Sequence, residues 1–163
     1  MTAIIRTSTA EPNGLAIWIN RMTGWFEVIP YWLIAIACRI ALAQVFWSSA
    51  QTKLADWSTV LFLFEDEYAL PLLPPDLAAY MAITIELVVP VLLLLGLATR
   101  FASLVIFGMT LVIEIFVFPA AWPTHIQWAS MMLVLMAYGA GPLSLDWLIR
   151  RGIGAPSAAA KRA

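Results

Sequence analysis

Four long apolar runs constrain this chain more than any other feature: Pro30 to Ala50, Leu77 to Leu97, Phe101 to Phe118 and His125 to Leu143. A helix needs about 20 mostly apolar residues to cross ~30 Å of hydrocarbon, so each run is close to one membrane crossing. Apolar residues make up 63% of the chain and charged residues 12%. Soluble domains hold roughly half and a quarter, so lipid must solvate most of this surface. The runs predict an all-α polytopic membrane protein, a four-helix bundle. The third run is the shortest and leads straight into Pro119, which sets its end.

The flanks divide the chain further. Leu15, Trp18, Met22, Trp25, Phe26 and Ile29 recur at helical spacing with Asn20, Arg21 and Glu27 elsewhere on the wheel, which predicts an N-terminal amphipathic helix lying in the membrane interface. The same stretch lacks the basic start, apolar run and small-residue cleavage site of a signal peptide. Residues 1–29 are read as tail and interfacial helix, 30–149 as the transmembrane domain and 150–163 as a basic tail. Arg6, Arg21, Arg100, Arg150, Arg151, Lys161 and Arg162 fall on one side of the spans, with only Lys53 in the other two loops. Both termini are therefore expected in the cytoplasm. A net charge of −1 argues against a nucleic-acid partner.

The first loop promises structure. Asp56 is placed to cap a short helix whose Trp57, Val60, Leu61 and Phe64 share a face, half-embedded in the outer leaflet. Pro71, Pro74 and Pro75 break it. Asp76 then opens the second span, where a carboxylate suits the free amides and the positive helix end.

Charges inside the runs point to a buried polar centre. Counting ~1.5 Å per residue, Arg39 lies about 13 Å in from Pro30 and Glu86 about 16 Å from Leu97, so the two are expected to meet near the midplane. A lone charge at that depth costs several kcal/mol, which makes an inward-facing ion pair the default, either structural or part of a site that binds a headgroup or relays protons. Glu114 and Gln44 share a second level nearer the outer face. Arg39, Phe46 and Lys53 recur every seven residues, and that stripe is expected to face inward. His125, at the outer start of the fourth run, is either an interfacial residue or a group exchanging a proton at a quinone-type carbonyl. On the inner side Arg100 and Asp146 are expected to pair. Gly139, Gly141 and Pro142 should end the fourth helix, with Ser144-Leu145-Asp146 starting an interfacial turn.

The inventory limits redox chemistry within the chain. One cysteine, Cys38, excludes an intrachain disulfide, and one histidine excludes bis-histidine haem ligation by this chain alone. No metal site is expected, and Met132 and Met136, one turn apart, read as packing. Tyr31, Trp32, Trp47, Trp122 and Trp128 fall near span ends, as an interfacial belt requires.

Arg39, the Phe46-Trp47, Ser49 and Lys53 that follow it, Glu86, the stretch Gly96-Leu97-Ala98-Thr99-Arg100 and the stretch Gly141-Pro142-Leu143-Ser144-Leu145-Asp146 together resemble the DoxX family of small four-helix bacterial membrane proteins. The likeness runs from about Tyr31 to Trp147. Tyr68 to Pro75 and Ala121 to His125 resemble a subgroup encoded beside iron-dependent peptide-modifying enzymes. The resemblance implies the bacterial inner membrane and a component of quinone-linked redox chemistry tied to sulfur, oxidative stress or metal homeostasis. In that reading Arg39, Glu86 and Glu114 are the catalytic candidates, and Gln44, Lys53 and His125 contact a quinone headgroup. Electrons would come from a substrate or from a soluble or membrane redox partner. Two other classes stay open: a non-catalytic anchor or assembly module, and a small-solute or metal transporter, which with four spans would have to be an oligomer or carry a very small substrate.

Overall fold

The computed structural model describes residues 14–24, 28–68, 70–71 and 73–153. The chain divides into a unit Met1–Pro30 and a unit Tyr31–Ala163. In the first, α1 (Gly14–Thr23) is the amphipathic segment anticipated, with Leu15, Trp18 and Met22 exposed. Trp25, Phe26 and Glu27 lie outside the described residues.

The described residues of the second unit form helices and the turns that join them, with no strand among them. Three of its helices are long and apolar enough to cross a membrane: α2 (Tyr31–Ala55), α4 (Pro75–Leu95) and α5 (Thr99–Val112), the last prolonged by a π-helical turn at Ile113–Val117. The fourth, α6 (Trp122–Tyr138), has 17 residues. It runs antiparallel to α5, because Arg100 at the start of α5 bonds the Ala137 carbonyl near the end of α6 while Glu114 beyond α5 meets His125 at the start of α6. The result is a helical membrane bundle.

Small side chains let the bundle close. Ala35, Ala43 and Ala50 on α2 and Ala79 on α4 are almost wholly buried, and in a membrane such residues allow the close backbone approach that dispersion needs. Leu42, Phe46, Leu93, Ile106, Met132 and Leu135 fill the space between them. Met132 is therefore a packing residue, as expected.

The first loop folds onto this core. Asp56 caps α3 (Trp57–Phe62): its carboxylate accepts from the Thr59 amide at 3.0 Å, the Thr59 hydroxyl at 2.7 Å and the Ser58 hydroxyl at 2.7 Å. These donors hold its carboxyl down to about 2, so the cap is ionised at neutral pH. A π-helical turn, Leu63–Tyr68, follows. Val60 and Phe64 are buried against Ala78, Ala79 and Ala82 of α4, so the segment is a lid over the end of the bundle where α2 stops and α4 begins. Pro75 occupies the first turn of α4, where its missing N–H costs nothing. Asp76 lies in that turn without a side-chain capping bond, so its part is limited to charge against the helix dipole.

The turn from α4 to α5 depends on one glycine. Gly96 sits at φ +64°, and the Gly96 and Leu97 amides fold back onto the Leu93 and Leu92 carbonyls in a Schellman end. A Cβ there would lie 2.5 Å from the Ser144 Cβ and 2.8 Å from an Arg39 guanidinium nitrogen. Gly96→Ala is expected to lose about 3 kcal/mol through left-handed strain and overpacking together. Gly108→Ala, with no atom within 4 Å of the added carbon, should melt like the wild type. Equal melting of the two variants in detergent would remove this account of the turn.

Candidate functional site

Arg39 is buried at 5% exposure and does not meet Glu86. Its Nε donates to the Leu93 carbonyl at 2.6 Å and Nη2 to the Leu94 carbonyl at 2.6 Å, while Nη1 donates to the carbonyls of Leu143 at 2.8 Å and Ala140 at 3.3 Å. The first two acceptors belong to the last turn of α4, whose carbonyls have no continuing helix to pair with and form its negative end. The expected Arg39–Glu86 pair fails for a geometric reason. Side chains lean toward the N-terminus of their own helix, and α2 and α4 run in opposite directions, so two residues at similar depth point away from each other.

The same rule explains the pair that does form. Lys53, in the last turn of α2, leans back toward the bundle and places Nζ 2.7 and 2.8 Å from the two Glu86 carboxylate oxygens. Ser49, one turn below Lys53, accepts from Nζ at 2.8 Å and donates to Glu86 Oε1 at 3.1 Å. Glu86 is 2% exposed. The inward stripe of Arg39, Phe46 and Lys53 is as anticipated, yet its two cations serve different ends of the bundle.

A second polar pair lies at the same end, under the lid. His125, 6% exposed, holds Nδ1 2.6 Å from Glu114 Oε2. The two residues are eleven apart and symmetric about the Pro119 turn, a spacing that brings facing positions of a helical hairpin together although depth alone assigned neither a partner. Glu114 falls in the π-helical turn after α5, where the extra residue per turn alters which side chains face α6.

A cavity of about 540 Å³ lies between these pairs, under the lid. Its walls are mostly apolar, from Phe46, Ile85, Val105, Met109 and Val112 among others, with Ser49, Lys53, Glu86, Tyr68 and His125 as the polar contributions. Trp128, assigned to the interfacial belt from sequence, instead lines the cavity edge-on to Phe46, with ring centroids 5.7 Å apart. Tyr68 packs edgewise on Phe64 and on Phe118, at 5.0 and 5.6 Å, and so joins the lid to the α5–α6 hairpin. Burial, then the charges of Glu67 and Glu86, push its phenol above the usual value, so it stays a hydrogen-bond donor.

The remaining sequence candidates fall outside this cavity. Glu114 stands behind His125, Gln44 is exposed on the outside of α2, and Arg39 is at the other end of the bundle. Among the described residues no group of three or more His, Cys, Asp or Glu is placed to hold a metal ion.

At that other end Asp146 does not pair with Arg100. Its two carboxylate oxygens accept from the Ala98 and Thr99 amides at 2.7 and 2.9 Å, and its own amide donates to the Gly96 carbonyl at 2.9 Å. Ala98 at the N-terminus of α5 has no capping side chain, so the orphan amides take a carboxylate from 48 residues away. α6 ends at Tyr138 before Gly139 and Gly141, as expected. Ser144 then caps a short helix, α7 (Leu145–Gly152), by accepting from the Trp147 amide at 3.2 Å.

Four packed helices with two closed acid–base pairs facing an apolar cavity define a small membrane protein built around a buried polar site. The DoxX family model matches residues 34–119, more than half of the chain, and the protein belongs to that family. The match includes Arg39, Lys53, Glu86 and Glu114 and ends before α6. No curated protein and no solved structure matches the chain.

Proposed function

We propose that this DoxX protein is a membrane component of quinone-linked redox chemistry whose outer cavity takes the quinone headgroup. The observation that carries the reading is the apolar cavity of about 540 Å³ with its few polar groups gathered on facing elements. Small-molecule sites have this size and this balance. A planar conjugated ring with oxygens at opposite ends suits apolar walls with polar groups on more than one side: Tyr68 on the lid and His125 on α6 are donors, and the Lys53 cation on α2, its N–H groups held by Ser49 and Glu86, supplies positive charge. A bound quinone would supply reversible uptake of two electrons and two protons.

The residues of the chain then have distinct tasks. Lys53 stabilises negative charge at a ring oxygen, as a fixed cation in a dry site does best. With Glu114 holding Nδ1, His125 has Nε2 left for a ligand and can pass a proton there. Glu86, between Lys53 and Ser49, is a proton acceptor on the opposite wall. Arg39 and Gln44 have no part in this site. Electrons come from a substrate or a partner protein. The placement of basic residues supports a bacterial inner membrane orientation with both termini in the cytoplasm.

A second reading has its own support. The Lys53–Glu86–Ser49 cluster is internally satisfied and ties α2 to α4, as a non-catalytic anchor for stress-defence or metal-handling partners would need. Titration of a short-chain benzoquinone against tryptophan fluorescence separates the two, because Trp128 is in the cavity wall. Saturable quenching is expected for the wild type, and about tenfold weaker quenching for the folded fraction of His125→Gln, which also disturbs the buried contact to Glu114 and should melt lower. No saturable binding in the wild type would move the protein to the anchoring class.

A further inference from the structure

A second cavity, of about 180 Å³, opens at the end of the bundle away from the lid, where α5 begins, α6 ends and α7 runs. Its walls bring together Arg100, Arg150, Tyr31, Tyr138, Trp147 and Asp146. The Asp146 carboxylate is engaged by two backbone amides of α5 and keeps its negative charge, which the two arginines outweigh, so the cavity is net positive. Arg100 spends one N–H on the Ala137 carbonyl at 3.1 Å and, among the described residues, no other. Arg150 is exposed and makes no hydrogen bond to any described residue. Two guanidinium groups with open donors around one concave site match the geometry of a phosphate better than that of any neutral ligand.

α7 indicates where that phosphate comes from. Leu148 and Ile149, with Ile153 just beyond the helix, are exposed, while Asp146, Arg150 and Arg151 occupy the other side. A short helix of that kind lies in the plane of a membrane interface with its apolar face in the acyl boundary. Arg151 stacks on Trp147 at 4.0 Å from the ring centroid and does not line the cavity. The cavity is thus held at headgroup depth by α7.

We propose that this cavity is a binding site for an anionic phospholipid, with Arg100 and Arg150 donating to its phosphodiester oxygens. The site is independent of the outer cavity and of any redox role. It would tie the α4–α5 turn, the end of α6 and α7 to the lipid composition of the leaflet.

Native mass spectrometry of the detergent-purified full chain tests this with phosphatidylglycerol and phosphatidylcholine of identical acyl chains. The wild type is expected to retain phosphatidylglycerol about tenfold more strongly. Arg150→Gln, which breaks no internal hydrogen bond, should weaken that retention about fivefold, and Arg100→Gln by a similar factor if it folds. Arg151→Gln should change it little, and excess inorganic phosphate should leave the lipid in place. Equal retention of the two lipids would overturn the proposal. So would equal losses in the Arg150 and Arg151 variants, which would mean diffuse surface charge. Displacement by inorganic phosphate would mean a site for free anions instead.

Discussion

Arg39→Gln is expected to destabilise the bundle by about 4 kcal/mol, because the Leu94, Ala140 and Leu143 carbonyls lose their donor at about 1–3 kcal/mol each, while Leu93 keeps the Gly96 amide. The guanidinium joins Leu93 and Leu94 of α4 to Ala140 and Leu143 of the connection before α7, and glutamine reaches one or two of these at most. Arg39→Lys keeps the charge at the negative end of α4 but replaces a planar fork with a point donor, so it should recover only part of the loss. Melting temperatures of the detergent-purified variants should fall in the order wild type, Lys, Gln. The folded fraction of each should still bind ligand in the outer cavity, since Arg39 does not line it. Unchanged melting with lost binding would return Arg39 to the site.

Glu86→Gln should lose about 3 kcal/mol by leaving Lys53 with a neutral partner. That is the low end for a broken buried pair, because Lys53 is partly exposed and can turn away from the bundle. Lys53→Met combined with Glu86→Gln should recover most of it, since no charge is then stranded. The double variant is the informative one. A stable double variant that has lost quinone binding by more than about tenfold assigns the pair to the site. A stable double variant that binds as well as wild type makes the pair a helix lock, and the proposed roles of Lys53 and Glu86 fall.

Several particular features were open to reading from residues alone. The four apolar runs become α2, α4, α5 with its π-helical turn, and α6. Asp56 caps α3 because a carboxylate three residues before an amide of a first turn needs no distant help. The seven-residue stripe of Arg39, Phe46 and Lys53 faces inward because helical periodicity assigns a face without reference to neighbours. The end of α6 at Gly139 was legible because a glycine there accepts a positive φ, whereas α4 stops at Leu95 before Gly96, short of the run read to Leu97.

Partner choice was not open in that way. Depth along a helix placed Arg39 beside Glu86, but the direction of each side chain and the antiparallel course of α2 and α4 assigned Glu86 to Lys53 and Arg39 to backbone carbonyls. Asp146 was matched to a nearby arginine by charge, whereas the uncapped start of α5 offered it two backbone amides. Periodicity and composition are local properties, so the chain carries its helices, their faces and its membrane class in plain view. Which donor meets which acceptor depends on register and on competition among groups far apart in sequence, and that is settled only when the helices pack.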